Sequence, residues 1–219
     1  MISLGLLLIL PLVTFAPISF ADNEPVSQVI TNIPAEDMYR FGFQSTVGDL
    51  NGDGYDDVIA GNPFAVRGAP SSGEVQIFFG GPGQPGTMDS NVDAEIQLVP
   101  AEGFAEFGRR VLTADFNQDG YDDLLVSAPA ADTGATNSGE ARIFFGGPGA
   151  FDTTPDAILS KSVPQDNANF ARDMAVGDVN GDGYPDALIG IPHANNLAID
   201  QGEAHVFFGG PGNSFDSTV

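Results

Sequence analysis

Three stretches of this chain concentrate oxygen-bearing side chains in one spacing, Asp-x-Asn-x-Asp-Gly-Tyr-x-Asp: Asp49 to Asp57, Asp115 to Asp123 and Asp178 to Asp186. Alternate positions bring oxygens toward one point as the chain curls. The glycine at the sixth position allows a turn that a Cβ would obstruct. In the first loop Asp49, Asn51, Asp53 and Asp57 offer side-chain oxygens and Tyr55 its carbonyl. The second set is Asp115, Asn117, Asp119, Asp123 and the Tyr121 carbonyl; the third is Asp178, Asn180, Asp182, Asp186 and the Tyr184 carbonyl. All are hard oxygen donors, which suit Ca2+ and argue against zinc or copper. Three carboxylates crowded into one turn repel each other, so a captured cation would add its binding energy to folding. The expectation is three Ca2+ sites, one per loop, with affinities on the order of 10⁻⁴ to 10⁻³ M, as in extracellular modules. A metal-free Asx-rich turn is the plainer alternative, and its threefold recurrence weighs against it. An EF-hand does not fit, because its twelfth position needs a bidentate Glu and here holds Ala60, Val126 and Ile189.

These loops sit inside a larger repeat. Asp49, Asp115 and Asp178 are spaced by 66 and 63 residues, and Glu74, Glu140 and Glu203 by the same two steps. Each loop follows a Phe-led pair (Phe41-Gly42, Phe107-Gly108, Phe170-Ala171) and precedes an apolar run ending in a small-residue-Pro step at Pro63, Pro129 and Pro192. GEVQIFFGGPG (Gly73 to Gly83), GEARIFFGGPG (Gly139 to Gly149) and GEAHVFFGGPG (Gly202 to Gly212) then follow. In the first unit, Phe41 to Gly48, Asp57 to Ala60, Glu74 to Phe79 and Glu95 to Val99 read as four short strands. Within Glu74 to Phe79 the alternation sends Val75, Ile77 and Phe79 one way and Glu74, Gln76 and Phe78 the other. A sheet of four short strands with two apolar faces needs neighbours, which favours radially stacked blades over a tandem β-sandwich.

Composition narrows the class further. Seven basic residues against 30 acidic ones give a net charge of −23, so a phosphate backbone would be repelled and nucleic acid is not an expected partner. The absence of cysteine excludes disulfides, thiolate metal sites and thiol catalysis. Leu4 to Ala16 is almost wholly apolar, and Ser19-Phe20-Ala21 precedes the polar Asp22, which reads as a secretory signal peptide over residues 1–21. The run is short for a membrane span and Pro11 interrupts it. No later stretch reads as a span, so none is expected in the mature chain.

Taken together, the Phe-Gly start, the acidic loop, the Gly-Ala-Pro-like step and the Gly-x-x-x-x-Phe strand resemble the FG-GAP repeat of integrin α-subunit propellers and of bacterial secreted proteins. The third copy departs in having Ala171 for the usual glycine, and no copy has a strict Gly-Ala-Pro. The resemblance implies an all-β fold of β-propeller blades: three repeats of four short antiparallel strands, an incomplete propeller. The expected organisation is an N-terminal segment with an outer strand (22–40, with Gln28 to Ile33 as the strand), then blades at 41–106, 107–169 and 170–219, the last without its outer strand. The resemblance also implies calcium in the hairpin between each blade's first two strands. These hairpins would share one face with the Gly-Gly-Pro-Gly turns, opposite the variable loops Asn62 to Ser72, Ala128 to Ser138 and Pro192 to Gln201. Further blades, from the same chain or another copy, would be needed to close the ring.

A catalytic set is hard to assemble from what remains. His193 lies in a variable loop, and His205 occupies the strand position of Gln76 and Arg142, which suggests a surface residue. Arg109, Arg110 and Arg172 read as ion-pair formers. The expectation is a secreted, extracellular, cell-surface or periplasmic calcium-binding module for adhesion or for a protein or carbohydrate ligand, and not an enzyme. The alternative is an accessory propeller of a longer secreted hydrolase or lyase.

Overall fold

The computed structural model describes residues 40–82, 91–195, 200–212 and 215. The signal-peptide and Gln28 to Ile33 expectations lie outside the described residues. Among the described residues, eleven strands form three antiparallel sheets in which sequence neighbours are also spatial neighbours. The first blade has β1 (Gln44–Gly48), β2 (Asp57–Asn62), β3 (Glu74–Phe78) and β4 (Ala94–Gln97), and the second has β5 (Val111–Ala114), β6 (Asp123–Ala128), β7 (Glu140–Phe144) and β8 (Ala157–Leu159). The third has β9 (Asp173–Gly177), β10 (Asp186–Ile191) and β11 (Glu203–Phe207). The fold is all-β, and among the described residues the three blades do not close a ring. No described helix is long and apolar enough to cross a membrane.

Register is the same in every blade. Gly48 opposes Asp57, Ala114 opposes Asp123 and Gly177 opposes Asp186, so each acidic loop connects the innermost strand to the second. The inner strands β1 and β5 lie against each other, as do β5 and β9, and they line the axis side of the blades. Strand β4 ends earlier than the sequence suggests, because Leu98 turns into the core and Val99, before Pro100, stands 75% exposed.

Two apolar layers hold the blades together. Leu50, Ile59, Val75 and Ile77 of the first blade pack against Phe107, Leu124, Val126 and Phe144 of the second. Leu125, Ala141, Ile143 and Phe145 of the second pack against Phe170, Ala187, Ile189 and Phe207 of the third. Strand β6 thus uses Leu124 and Val126 toward one neighbour and Leu125 toward the other, the period-2 alternation of a strand covered on both faces. Every residue of β6 and β7 is buried, whereas β10 and β11, with a described blade on one side only, leave Leu188 exposed. Strand β3 is also buried throughout, so the polar side of its alternation, Glu74 and Gln76, is interior.

The blade junction explains why one glycine recurs. Gly73 forms a parallel bridge with Phe107, and Phe107 N–H donates to the Ser72 carbonyl at 3.1 Å. The next junction repeats this, with Phe170 N–H donating to the Ser138 carbonyl at 2.8 Å. A Cβ on Gly73 would lie 2.1 Å from the Phe107 carbonyl oxygen, and one on Gly139 2.5 Å from that of Phe170. Gly202, the third counterpart, has no following blade among the described residues, and the nearest atom to a Cβ there would be 3.2 Å away. All three have φ between +75 and +85. Ala171, in place of Gly42 and Gly108, keeps the left-handed backbone at φ 60, at a cost of about 1–2 kcal/mol.

Gly73→Ala should therefore lower the unfolding free energy by about 2–4 kcal/mol, combining left-handed backbone strain with overpacking at the junction. Gly202→Ala should lower it by about 1–2 kcal/mol, from the backbone term alone. Urea unfolding checks this, and equal losses in the two variants would contradict the junction account.

Candidate metal centre: three acidic hairpin loops

Each loop is closed by its first carboxylate. Asp49 Oδ1 accepts from the N–H of Gly52 at 2.8 Å and Asp53 at 3.1 Å, and its Oδ2 accepts from Gly54 at 2.8 Å. Asp115 accepts from Asp119 and Gly120, each at 3.0 Å. Asp178 accepts from Gly181 at 2.7 Å, Asp182 at 3.2 Å and Gly183 at 2.9 Å. The third and fifth positions continue the curl: Asn51 accepts from Asp53 N–H at 2.9 Å and Asp53 from Tyr55 N–H at 3.0 Å. Asn117 and Asp119, and Asn180 and Asp182, repeat these bonds. The sixth-position glycines Gly54, Gly120 and Gly183 have φ of 88, 91 and 97, the left-handed backbone their place in the motif called for.

The ninth carboxylate does a different job from the others. Asp57 is fully buried and accepts from Leu50 N–H at 2.9 Å through one oxygen and from Gly80 N–H at 2.9 Å through the other. Asp123 accepts from Phe116 at 2.8 Å and Gly146 at 2.9 Å, and Asp186 from Val179 at 2.8 Å and Gly209 at 3.1 Å. Each therefore joins the start of its loop to the Gly-Gly-Pro-Gly turn after the third strand, and the two features share one face of the blade. Burial pushes the Asp57 carboxyl up to about 6, against the two backbone donors that lower it, with Asp53 and Asp49 adding to the rise. Burial likewise pushes Asp123 up to about 7, Asp119 and Asp115 adding to it.

The loops also contact each other across blades. Asp122, beside the ninth position, accepts from Asp49 N–H at 3.0 Å and donates its own N–H to the Asp49 carbonyl at 3.0 Å. Gly147 N–H donates to the Leu50 carbonyl at 2.9 Å. Pro185 replaces this second acid in the third loop, where the Gln118 amide reaches the Gly183 carbonyl at 2.5 Å instead. The doublet Asp122-Asp123 was visible in the sequence, but its first member's partner lies 73 residues away.

In donor chemistry the loops fit a hard cation: each presents oxygens only, and the ion pairs described run to Glu74, Glu95, Glu106, Glu140, Asp173, Asp200 and Glu203, outside the loops. Among the described residues, however, no three acidic or histidine side chains are gathered closely enough to hold a metal. The carboxylates instead face their own backbone amides: Asp49 Oδ1 and Asp178 Oδ1 each accept two N–H bonds, while Oδ2 of each accepts one and retains a lone pair for a cation.

A polar layer runs through the third strands, which sequence alone does not reveal. Glu74 meets Arg67 at 2.5 Å and the Asn62 amide at 2.9 Å, and Glu140 meets Arg142 at 2.6 Å. Glu203 meets Lys161 at 2.5 Å and His205 at 2.9 Å. His205 is thus not a surface residue: its side chain is 12% exposed and its ring packs edge-on to Phe170 at 6.2 Å. Gln76 and Arg142 are buried at the equivalent positions. His193 is exposed, 3.6 Å from Asp200.

The FG-GAP repeat profile matches residues 41–78, 107–144 and 170–207, just over half of the chain. Phosphatidylinositol-glycan-specific phospholipase D from Bos taurus is 33% identical over 199 residues, 84% of this chain and 23% of its own length. The Homo sapiens protein of that name is 32% identical, over 86% of this chain and 22% of its length. Integrin alpha-IIb of Homo sapiens is 30% identical over 73% of this chain and 15% of its own. This chain therefore spans under a quarter of these curated relatives. Among solved structures, a rhamnogalacturonan lyase from Bacillus licheniformis superimposes with a TM-score of 0.51 over 78% of this chain and 32% of that one, at 12% identity, which speaks to the fold alone. The expectation that the chain is not an enzyme is overturned: relatives aligning along most of it, from mammals to Dictyostelium discoideum, are phospholipases D. The repeat spacing reports on hairpins and blades, and it is silent on the chemistry of the longer polypeptides that carry them.

The raised carboxyls set a pH dependence for chelated protein. The folded values of Asp57 and Asp123 lie above the ordinary 3.8, so the stability their neutral forms contribute is full below that value and is lost as pH rises through about 6 and about 7. With chelator present, the melting temperature should fall between pH 5 and pH 8; a rise across that window would contradict the burial account.

Proposed function

The chain belongs to the FG-GAP repeat family, and from that premise we propose that it is a calcium-clamped propeller segment of a secreted phosphodiesterase of the phospholipase D type, directed at glycan-linked phosphoinositides. The carrying observation is its alignment, along most of its length, with phosphatidylinositol-glycan-specific phospholipases D. Asp49, Asn51, Asp53, Tyr55 and Asp57 would hold one Ca2+, with the matching residues of the second and third loops holding two more. A bound Ca2+ supplies two positive charges against three carboxylates per loop. The chain's own part is to present those oxygens: Asp49, Asp115 and Asp178 shape the curl, and Asp57, Asp123 and Asp186 fix its end to the neighbouring turn.

The organisation we propose is a signal peptide over 1–21, an N-terminal segment over 22–40 and blades at 41–106, 107–169 and 170–219. Further blades from the same chain or another copy complete the ring. Export fits a Ca2+ affinity on the order of 10⁻⁴ to 10⁻³ M. A second reading, an adhesion propeller binding a protein or carbohydrate, is supported by the similarity to integrin alpha-IIb.

Ca2+ at tenfold above its dissociation constant should add about 1.4 kcal/mol per site and raise the melting temperature by several degrees relative to chelator. Replacing Asp53, Asp119 and Asp182 together by Ala should abolish that difference. Identical wild-type melting in the two conditions would remove calcium from the account. For the enzymatic half, the natural full-length protein should release glycan-anchored proteins from cell membranes; no release, together with calcium-dependent adhesion, would favour the second reading.

A further inference from the structure

The acidic loops lie at one end of the inner strands, and the other end carries the opposite charge. A cleft of about 450 Å³ there is lined by Phe43, Gln44, Arg109, Arg110, Arg172 and Asp173. These residues stand at or just before the starts of β1, β5 and β9, so all three blades contribute. Three of the chain's seven basic residues meet in this one cleft, in a protein of net charge −23.

The pairing within the cleft leaves a positive excess. Glu106 serves two of the arginines, accepting from Arg109 Nη1 at 2.5 Å and lying 3.5 Å from Arg172 Nη1. Arg110 Nε lies 3.0 Å from Asp173 Oδ1, and its Nη1 donates to Gln44 Oε1 at 2.7 Å. Two carboxylates thus face three guanidiniums, each with five N–H donors. Arg109 is held in place, stacked over Phe43 at 5.5 Å with its side chain 19% exposed. The side chains of Arg110 and Arg172 are 40% and 42% exposed, and that of Asp173 is 72% exposed, its Oδ1 also accepting from Met174 N–H at 3.0 Å.

We propose that this cleft binds a phosphate ester. Arg110 and Arg172 would supply the recognising forks, with Arg109 behind them. A phosphate has enough tetrahedrally arranged oxygens to accept several guanidiniums at once, whereas a planar carboxylate is filled by one or two forks. The volume admits a phosphorylated sugar or a lipid headgroup. The strongly acidic surface elsewhere repels an anion and leaves this end of the axis as its favoured approach. The site stands on the arginine geometry and does not depend on the phospholipase reading.

Calorimetric titration of the full chain with glucose 6-phosphate, with glucose and gluconate as controls, tests this. Co-sedimentation with phosphatidylcholine vesicles containing phosphatidic acid forms a second arm. Glucose 6-phosphate should bind at one site and weaken with added salt, gluconate should bind about tenfold more weakly, and Arg172→Gln should cost about tenfold in affinity with unchanged melting. Binding to the sugar phosphate alone assigns a soluble ligand, binding to vesicles alone assigns a membrane phosphate, and both together assign the headgroup. Binding in neither arm, equal binding of gluconate, or an Arg172→Gln variant that binds as the wild type overturns the site. Should Arg172→Gln melt early, Arg172→Lys keeps the charge and loses the fork, and unchanged affinity there overturns it equally.

Discussion

Negative charge held in tight hairpins is the constraint on which this structure turns. Each blade begins by crowding three loop carboxylates into one curl, and one of them is driven into the protein. Asp57 and Asp123 are fully buried and Asp186 nearly so, each with both oxygens on backbone amides from two separate segments. A carboxylate in that position keeps its charge only at a desolvation cost, and its neighbours add repulsion. The same contacts bind the first hairpin of a blade to the turn after its third strand. Whatever neutralises the loop charge therefore stabilises the whole inner half of the blade.

The blades depend on one another as strongly as each depends on its loop. Phe107 and Phe170 are fully buried because the preceding blade's Gly73 or Gly139 lets their backbones come close. Phe41, which opens the first blade, packs edge-on to Phe78 of its own sheet at 6.2 Å. The middle blade is covered on both faces and buries β6 and β7 completely, while the third leaves Leu188 open. A graded exposure of this kind is what a quasi-one-dimensional stack shows where no neighbour is described. Stacking also sets the axis polarity, since inner strands in equal register put every acidic loop at one end and the arginines at the other.

Much of this was legible in the residues. The loops, the sheet order and the unit length follow from local spacing and strand periodicity, which act within a few residues. What the sequence concealed are pairings over long separations. The ninth carboxylates read as equivalent to their loop neighbours, yet their partners Gly80, Gly146 and Gly209 lie 23 residues on. His205 looked exposed because alternation assigns a face but not what covers it; Phe170 packs edge-on to its ring and Glu203 binds its Nε2. Enzymatic kinship was hidden for another reason, since blade spacing encodes packing and leaves the chemistry of a longer polypeptide unspecified.

A structure determined from crystals grown in abundant calcium, with anomalous differences measured, tests the central claim most directly. The account predicts three strong peaks. One should be bounded by the oxygens of Asp49, Asn51, Asp53, Tyr55 and Asp57 at roughly 2.3–2.6 Å, and the other two by their counterparts. Well-ordered loops with no such peaks, their carboxylates still turned to their own amides, would contradict it.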